Sequence, residues 1–274
     1  MPPKIRRAPP LQEGLCAMQG NASVAKTCNQ LLVGLAPQDR QIIEPDLHPE
    51  EFPAKAYLER TGFRSKNIYF IEAGVISLLE TGDLRDPIEV GLIGREGMIG
   101  ASTLVADLVP QRDSYVQIAG RALVIMRSDL LRAMRSSEML RTYLLRYVQT
   151  QIAQMSLTVS ASVRANVQTR LARKLLMYHD RVGVDELPLT HENMSLMLGV
   201  RRASITHAIH SLEGEGWIRA QRGLVAIRDR EGLETYCGPF YGVAERRYDQ
   251  IMNHRRSLHS ERSFRPPSGN GMTA

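Results

Sequence analysis

Arg201 and Arg202 stand side by side, followed closely by small or hydrogen-bonding side chains at Ala203, Ser204, Thr206, His207 and His210. Guanidinium groups can hold phosphates or pair bidentately with the major-groove edge of guanine, and hydroxyls and imidazoles add further donors and acceptors. At about 100° per residue, Ile205, Ala208, Ile209 and Leu212 gather on one side of a helix, opposite Ala203, Thr206, His207, His210 and Ser211. The polar side is therefore the one left to meet a partner. What must position it lies just upstream. Thr190 has the hydroxyl of an N-cap, and Met194, Leu196, Met197 and Leu198 give a short helix an apolar side. Gly199 supplies the left-handed stop, and the second apolar rhythm opens almost at once, which is helix-turn-helix spacing. Downstream, Trp217 to Ala220 and Leu224 to Ile227 flank a Gln221-Arg222-Gly223 turn, the pattern of a hairpin wing. A plain helical hairpin, or a winged helix used for protein contacts, shares parts of this pattern. The order of turn, arginines and wing favours duplex DNA, with Thr190, Arg201, Arg202, Ala203, Ser204, Thr206, His207, His210 and Arg222 as candidate contacts.

The rest of the chain must carry and aim this unit. Its 274 residues suffice for two domains with tails, and a net charge of +6 with a pI near 9.4 suits a polyanion. No apolar run approaches the roughly 20 residues that cross a bilayer, and no apolar signal core opens the chain, so the expected location is the cytoplasm, without a membrane partner. Cys16, Cys28 and Cys237 form no zinc pattern and argue for a reducing compartment.

Five segments follow in order: an arm over 1–22, a strand-rich domain over 23–135, a long helix and hinge over 136–165, the winged helix over 166–237, and a helical extension with a basic tail over 238–274. Short helices are expected over Ala25 to Leu35 and from Pro37 to about Ile43. In the second segment Ile68 to Ile71 and Val75 to Leu79 flank Glu72-Ala73-Gly74, a hairpin signal. Further strands are expected at Ile88 to Ile93, at Ser114 to Ile118 and, after a Gly120 turn, at Ala122 to Met126, a β-roll or sandwich pattern. Ser128-Asp129 is read as the cap of a short helix through Met134. From Ser137 to Val163 there is neither Gly nor Pro, and Leu145, Val148, Ile152, Met155 and Val159 recur at alternating steps of three and four, the seam of a coiled coil. Arg164-Ala165-Asn166 reads as a hinge, after which Leu171, Leu175 and Leu176 form a stripe with Arg170, Arg173 and Lys174 turned to solvent. Tyr241, Ala244, Tyr248 and Ile251 fall roughly on one face of an added helix.

A β-roll enzyme fused to a winged helix is the rival of another class. Such enzymes seat a metal on imidazole and carboxylate ligands. The histidines stand at 48, 179, 191, 207, 210, 254 and 259, so the roll has none to offer between Pro49 and Tyr178. No G-x-S-x-G element appears either. Neither a catalytic residue nor a metal or other cofactor is expected.

The run Leu198-Gly199-Val200-Arg201-Arg202-Ala203-Ser204-Ile205-Thr206-His207 resembles the L-G-x-S-R-E-T-V-x-R of the Crp/Fnr superfamily, the cyclic-AMP receptor protein and its relatives. The likeness extends to Tyr69 through Ser77, similar to the family's β-roll, and to Gly94 through Gly100, similar to the lead into its nucleotide cassette. It implies an α+β chain with an N-terminal β-roll of cyclic-nucleotide-binding type, a long dimerisation helix and a C-terminal winged helix-turn-helix. It also implies a homodimer on a palindromic operator, with RNA polymerase as a partner and base reading at Arg202, Ala203 and His207. Ala203 and His207 depart from the family's Glu and Arg, so cytosine reading by a carboxylate is not expected there. In members that bind cyclic AMP, a Gly-Glu pair holds the ribose and an Arg-Ser pair the phosphate; here these fall on Gly100-Ala101 and Arg112-Asp113. The ribose acceptor is missing, and Asp113 sets a like charge beside a phosphate. Scaffold or protein contact is thus the leading reading of the roll, ahead of an unknown small-molecule effector or a cyclic nucleotide held by rearranged contacts. The iron-sulfur mode of the Fnr branch is not expected, because Cys16 and Cys28 lie twelve apart without a further thiol before Cys237.

Overall fold

The computed structural model describes residues 27–81, 87–105 and 109–253, so the expectations for the N-terminal arm and the basic tail fall outside the described residues. Two helices open this part, α1 (Gln30–Val33) and α2 (Pro37–Ile43). The first is shorter than expected because its cap sits late in the segment: Asn29 Oδ1 accepts from the amides of Leu31 and Leu32, both at 3.1 Å. The same side chain donates to the carbonyls of Ile71 and Gly97 at 2.8 Å, so one buried amide both starts the helix and fastens it to the roll.

The roll consists of β1 (His48–Phe52), β2 (Tyr57–Glu59), β3 (Asn67–Glu80), β4 (Ile88–Ile93), β5 (Met98–Ile99) and β6 (Asp113–Met126). All pairings are antiparallel, in the order β1-β6-β3-β4, with β2 added to β6 and β5 to β3. The expected hairpin at 72–74 and the expected turn at 120 are both absent. Each lies inside a single 14-residue strand, and the two strands run against each other from Asn67↔Met126 to Leu79↔Asp113. The register shifts around Ala73 and Val75 show why glycine is there. Gly74 has φ +95°, and a Cβ on it would lie 2.7 Å from the Ile118 carbonyl oxygen; a Cβ on Gly120 would overlap the Ala73 carbonyl. Facing glycines let two long strands bend together at a bulge rather than reverse.

Helix α3 (Arg127–Ser136) starts without a side-chain cap, so Ser128 is not its cap, and α4 (Glu138–Arg164) follows with Ser137 Oγ accepting from Leu140 N. Asn166 caps α5 (Val167–Val182), which confirms the break at Ala165. The C-terminal domain then adds β7 (Glu186–Leu187), α6 (His191–Leu198), α7 (Arg202–Gly214), β8 (Ile218–Gln221), β9 (Leu224–Ile227) and α8 (Arg230–Cys237), its three strands ordered β7-β9-β8. A last helix, α9 (Val243–Met252), leaves this domain and packs back on α4.

Helix α5 departs from expectation in a way that matters for the site. Arg173 and Lys174 do not face solvent: they are 4% and 2% exposed, Lys174 turned onto the roll and Arg173 toward Thr158 of α4 and the Phe240 carbonyl. Lys174 Nζ forms a buried ion pair with Glu89 of β4, whose other oxygen accepts from Tyr178 OH at 3.2 Å and from Ser77 Oγ. Burial lowers the Lys174 pKa, and the Glu89 charge opposes that fall. Two helical turns on from Lys174, Arg181 Nη2 meets Glu96 at 2.6 Å and the Leu92 carbonyl at 3.2 Å. Val75 and Leu92 of the roll belong to the same apolar cluster as Leu175, Tyr178, Met197 and Ile205. The winged domain therefore shares its core with the roll.

The returning extension adds a second fastening. Arg173 Nε donates to Phe240 O at 2.9 Å, Tyr241 OH to Asp180 Oδ2 at 2.8 Å, and Tyr248 OH to Glu96 O at 2.7 Å. Arg230 joins this cluster through Asp180 at 2.7 Å and Glu234 at 2.8 Å; burial works against its charge, and Asp180 more than restores it. Met252 reaches the core formed by α1, α4 and the roll. Of the residues expected on one face of this helix, Tyr241 lies ahead of it and Tyr248 points inward.

Candidate nucleic-acid interface

Helix α6 begins with a reciprocal cap. Thr190 Oγ1 accepts from Asn193 N at 3.1 Å, and Asn193 Oδ1 accepts from Thr190 N at 3.1 Å. The helix ends at Gly199, φ +61°, where a side chain would strain the backbone, and Arg170 donates from α5 to the Leu198 carbonyl freed at that end. Val200 N returns to Ser195 O at 3.2 Å, closing the turn. Two residues later α7 starts with Arg201 as an N-cap that makes no side-chain bond.

Ile205, Ala208, Ile209 and Leu212 of α7 are buried, between 0% and 3% exposed, so the helix can sit in one rotation only. Arg201, Arg202, Ala203, His207 and His210 are exposed, with Ser204 and Thr206 half-buried beside them. Thr206 Oγ1 donates back to Arg202 O at 3.1 Å and lies 3.3 Å from His191 Nδ1. Arg202 Nη2 meets Glu192 Oε1 of α6 at 2.9 Å. At the other end, Glu213 Oε1 accepts from Ala220 N at 2.8 Å and fixes the wing to the helix that it flanks. Gly223, φ +77°, makes the β8–β9 turn and leaves Arg222 exposed at its tip. Trp217 stacks on Tyr236 with ring centroids 4.9 Å apart, holding the wing to α8. Between α6, α7 and the wing lies an open cleft of about 780 Å³ lined by Thr190, His191, Thr206, His210, Gln221 and Arg222, among others. Seven of the nine residues singled out from the sequence are thus exposed, and Ser204 and Thr206 are half-buried.

The residues compared with a nucleotide cassette occupy different surroundings. Gly100 takes φ +96° ahead of a 3-10 turn that buries Ala101, and Asp113 Oδ1 accepts from Thr61 N at 2.7 Å. Arg112 sits near a residue that the sequence did not suggest, Glu59, whose buried carboxylate accepts from Ser114 Oγ at 3.1 Å. Burial raises the Glu59 pKa, against the lowering by Ser114, the Gly100 amide and Arg112. Its Oε1 is enclosed without a hydrogen-bond partner. No local signal marks Glu59, because its partners come from 41 and 55 residues further along the chain.

Among the described residues, no group of three or more His, Cys, Asp or Glu side chains could hold a metal ion, and no helix is long and apolar enough to cross a membrane. Cys28 is disulfide-bonded. Cys237 is buried and free, its thiol pushed up to about 12 by burial.

A turn-linked helix pair with an exposed cationic face and a wing defines a DNA-binding winged helix-turn-helix. Residues 169–236 match the Crp-like helix-turn-helix domain. The chain is 24% identical over 209 residues to the CRP-like cAMP-activated global transcriptional regulator of Mycobacterium tuberculosis (strain CDC 1551 / Oshkosh), covering 73% of this chain and 92% of that protein. In fold it is similar to a Crp/Fnr-family transcriptional regulator from Eubacterium rectale, with a TM-score of 0.62 at 18% identity over 77% of this chain and 98% of that one. A TM-score of 0.58 at 14% identity relates it to the c-di-GMP-responsive global regulator CLP of Xanthomonas campestris, over 70% of this chain and 99% of that one. The protein is a DNA-binding transcription regulator, with a Crp-like helix-turn-helix over 169–236 and a fold similar to that of Crp/Fnr-family regulators.

Proposed function

We propose that the protein acts in the cytoplasm as a homodimer that reads a palindromic site in duplex DNA and works with RNA polymerase, with no catalytic step of its own. The observation that carries this reading is a second apolar stripe on α4. Leu140, Leu144 and Tyr147 turn inward and are buried in the chain's own core, whereas Leu145, Val148 and Met155 are only half-buried. Ile152 and Val159 are 49% and 62% exposed, and Val163 continues the stripe at 80%. An unpaired heptad seam on a 27-residue helix suits a second copy in parallel. Two-fold symmetry then sets two copies of α7 about 34–36 Å apart, one turn of a duplex.

Arg202 is the proposed guanine reader, with Ala203, Ser204, Thr206, His207 and His210 facing neighbouring bases, and Thr190, Arg201 and Arg222 facing phosphates. In the roll, Glu59 supplies the anion that Gly100 and Arg112 would otherwise take from a ligand, and Ala101 and Asp113 offer a cyclic nucleotide neither a ribose acceptor nor a phosphate donor. Ordinary cyclic AMP binding is therefore not part of the proposal. The test is selection of an operator from random duplexes, followed by titration of the wild type and Arg202→Ala at fixed salt. The variant should lose about 1–3 kcal/mol, confined to one base pair of each half-site. Equal affinity and unchanged base preference would remove Arg202 from its assigned role.

A further inference from the structure

Helix α7 carries no carboxylate on its exposed first two turns, yet one stands beside them, contributed by α6. Glu192 Oε1 lies 2.9 Å from Arg202 Nη2, and the two side chains are 76% and 66% exposed. Exposed pairs of this kind add little to stability, so the contact does little for the fold. Its effect is on geometry and charge. A guanidinium has five N–H donors; engaging one of them leaves enough for the two acceptors of guanine's major-groove edge while restricting where the group can swing. A carboxylate at this place also repels phosphate, the sequence-independent competitor for every arginine at a DNA surface. Glu192 is itself held, because Asn193 beside it closes the reciprocal cap and donates to Gln117 of the roll at 3.3 Å.

Building on the DNA-binding assignment, we propose that Glu192 is a positioning residue that determines specificity: it aims Arg202 at a base and keeps it from a phosphate. The carboxylate absent at Ala203 thus acts from the neighbouring helix, through the arginine.

The test compares the full-length wild type with Glu192→Gln on the selected operator and on a scrambled duplex, across a series of salt concentrations. Glu192→Gln should bind the scrambled duplex about three- to tenfold more tightly, and preference for guanine opposite Arg202 should fall about fivefold. In an Arg202→Ala background the same substitution should leave base preference unchanged. Glu215→Gln, which removes an exposed acid at the far end of α7, should shift both duplexes alike and serves as the charge control. If Glu192→Gln behaves as Glu215→Gln does, or alters base preference equally without Arg202, the proposal is overturned. A wild type that selects no sequence at all would overturn the DNA reading as well, so the two failures are distinguishable.

Discussion

Two pairs of neighbouring cations, Arg173-Lys174 on α5 and Arg201-Arg202 at the start of α7, look alike in the chain and end in opposite surroundings. The first pair is buried, Lys174 against Glu89 of the roll and Arg173 against α4 and the Phe240 carbonyl; the second is exposed at the start of the helix that the wing flanks. Charge on a helix therefore says little until its partner is known. In the junction a cation holds domains together at the expense of desolvation, and on the open face it remains available to a polyanion.

The contrast can be broken most severely at the junction. Lys174→Met leaves Glu89 buried without its cation and should cost about 3–5 kcal/mol in urea unfolding. Adding Glu89→Leu to that variant should recover most of the loss, because two apolar side chains need no pairing. If Lys174→Met alone unfolds at the wild-type midpoint, the junction does not bear on stability. On the exposed side, Ile152→Asp puts a charge into the proposed seam. It should weaken self-association by roughly 2–4 kcal/mol in sedimentation equilibrium while leaving the monomer folded, and an unchanged association constant would place the dimer contact elsewhere.

The smallest effect sharpens the comparison inside the roll. Because burial raises the Glu59 pKa above the ordinary glutamate value of 4.5, the folded state holds its proton more tightly than the unfolded chain does. Its stabilising contribution is complete below about 4.5 and is lost as pH rises through the higher folded value. Glu59→Gln should therefore gain stability relative to wild type as pH climbs from 4 to 8. A gap that stays constant with pH would mean that Glu59 keeps its ordinary titration.

What could be read in advance followed locality. The Thr190 cap, the Gly199 stop, the apolar face of α7 and the wing each depend on residues within a few positions, and each lies where the spacing placed it. Features that depend on distant partners were misread or missed. Gly74 and Gly120 looked like two turns because glycine punctuates both turns and bulges, and only their mutual approach tells which. Lys174 looked solvated because Glu89 lies 85 residues earlier, and Glu59 drew no notice for the same reason. Within the candidate interface, Glu192 escaped because it belongs to the other helix.

The path of the last helix gives the molecule a property that chain order alone would not. Because α9 runs from the winged domain back to α4 and the Glu96 turn, that domain is joined at two points, Ala165 at one end and 238–242 at the other, in addition to the core that it shares with the roll. A body held at two points can rotate readily only about the line that joins them. Any swing of the recognition helices is thereby narrowed to one axis, much as a door on two hinges has a single way to open.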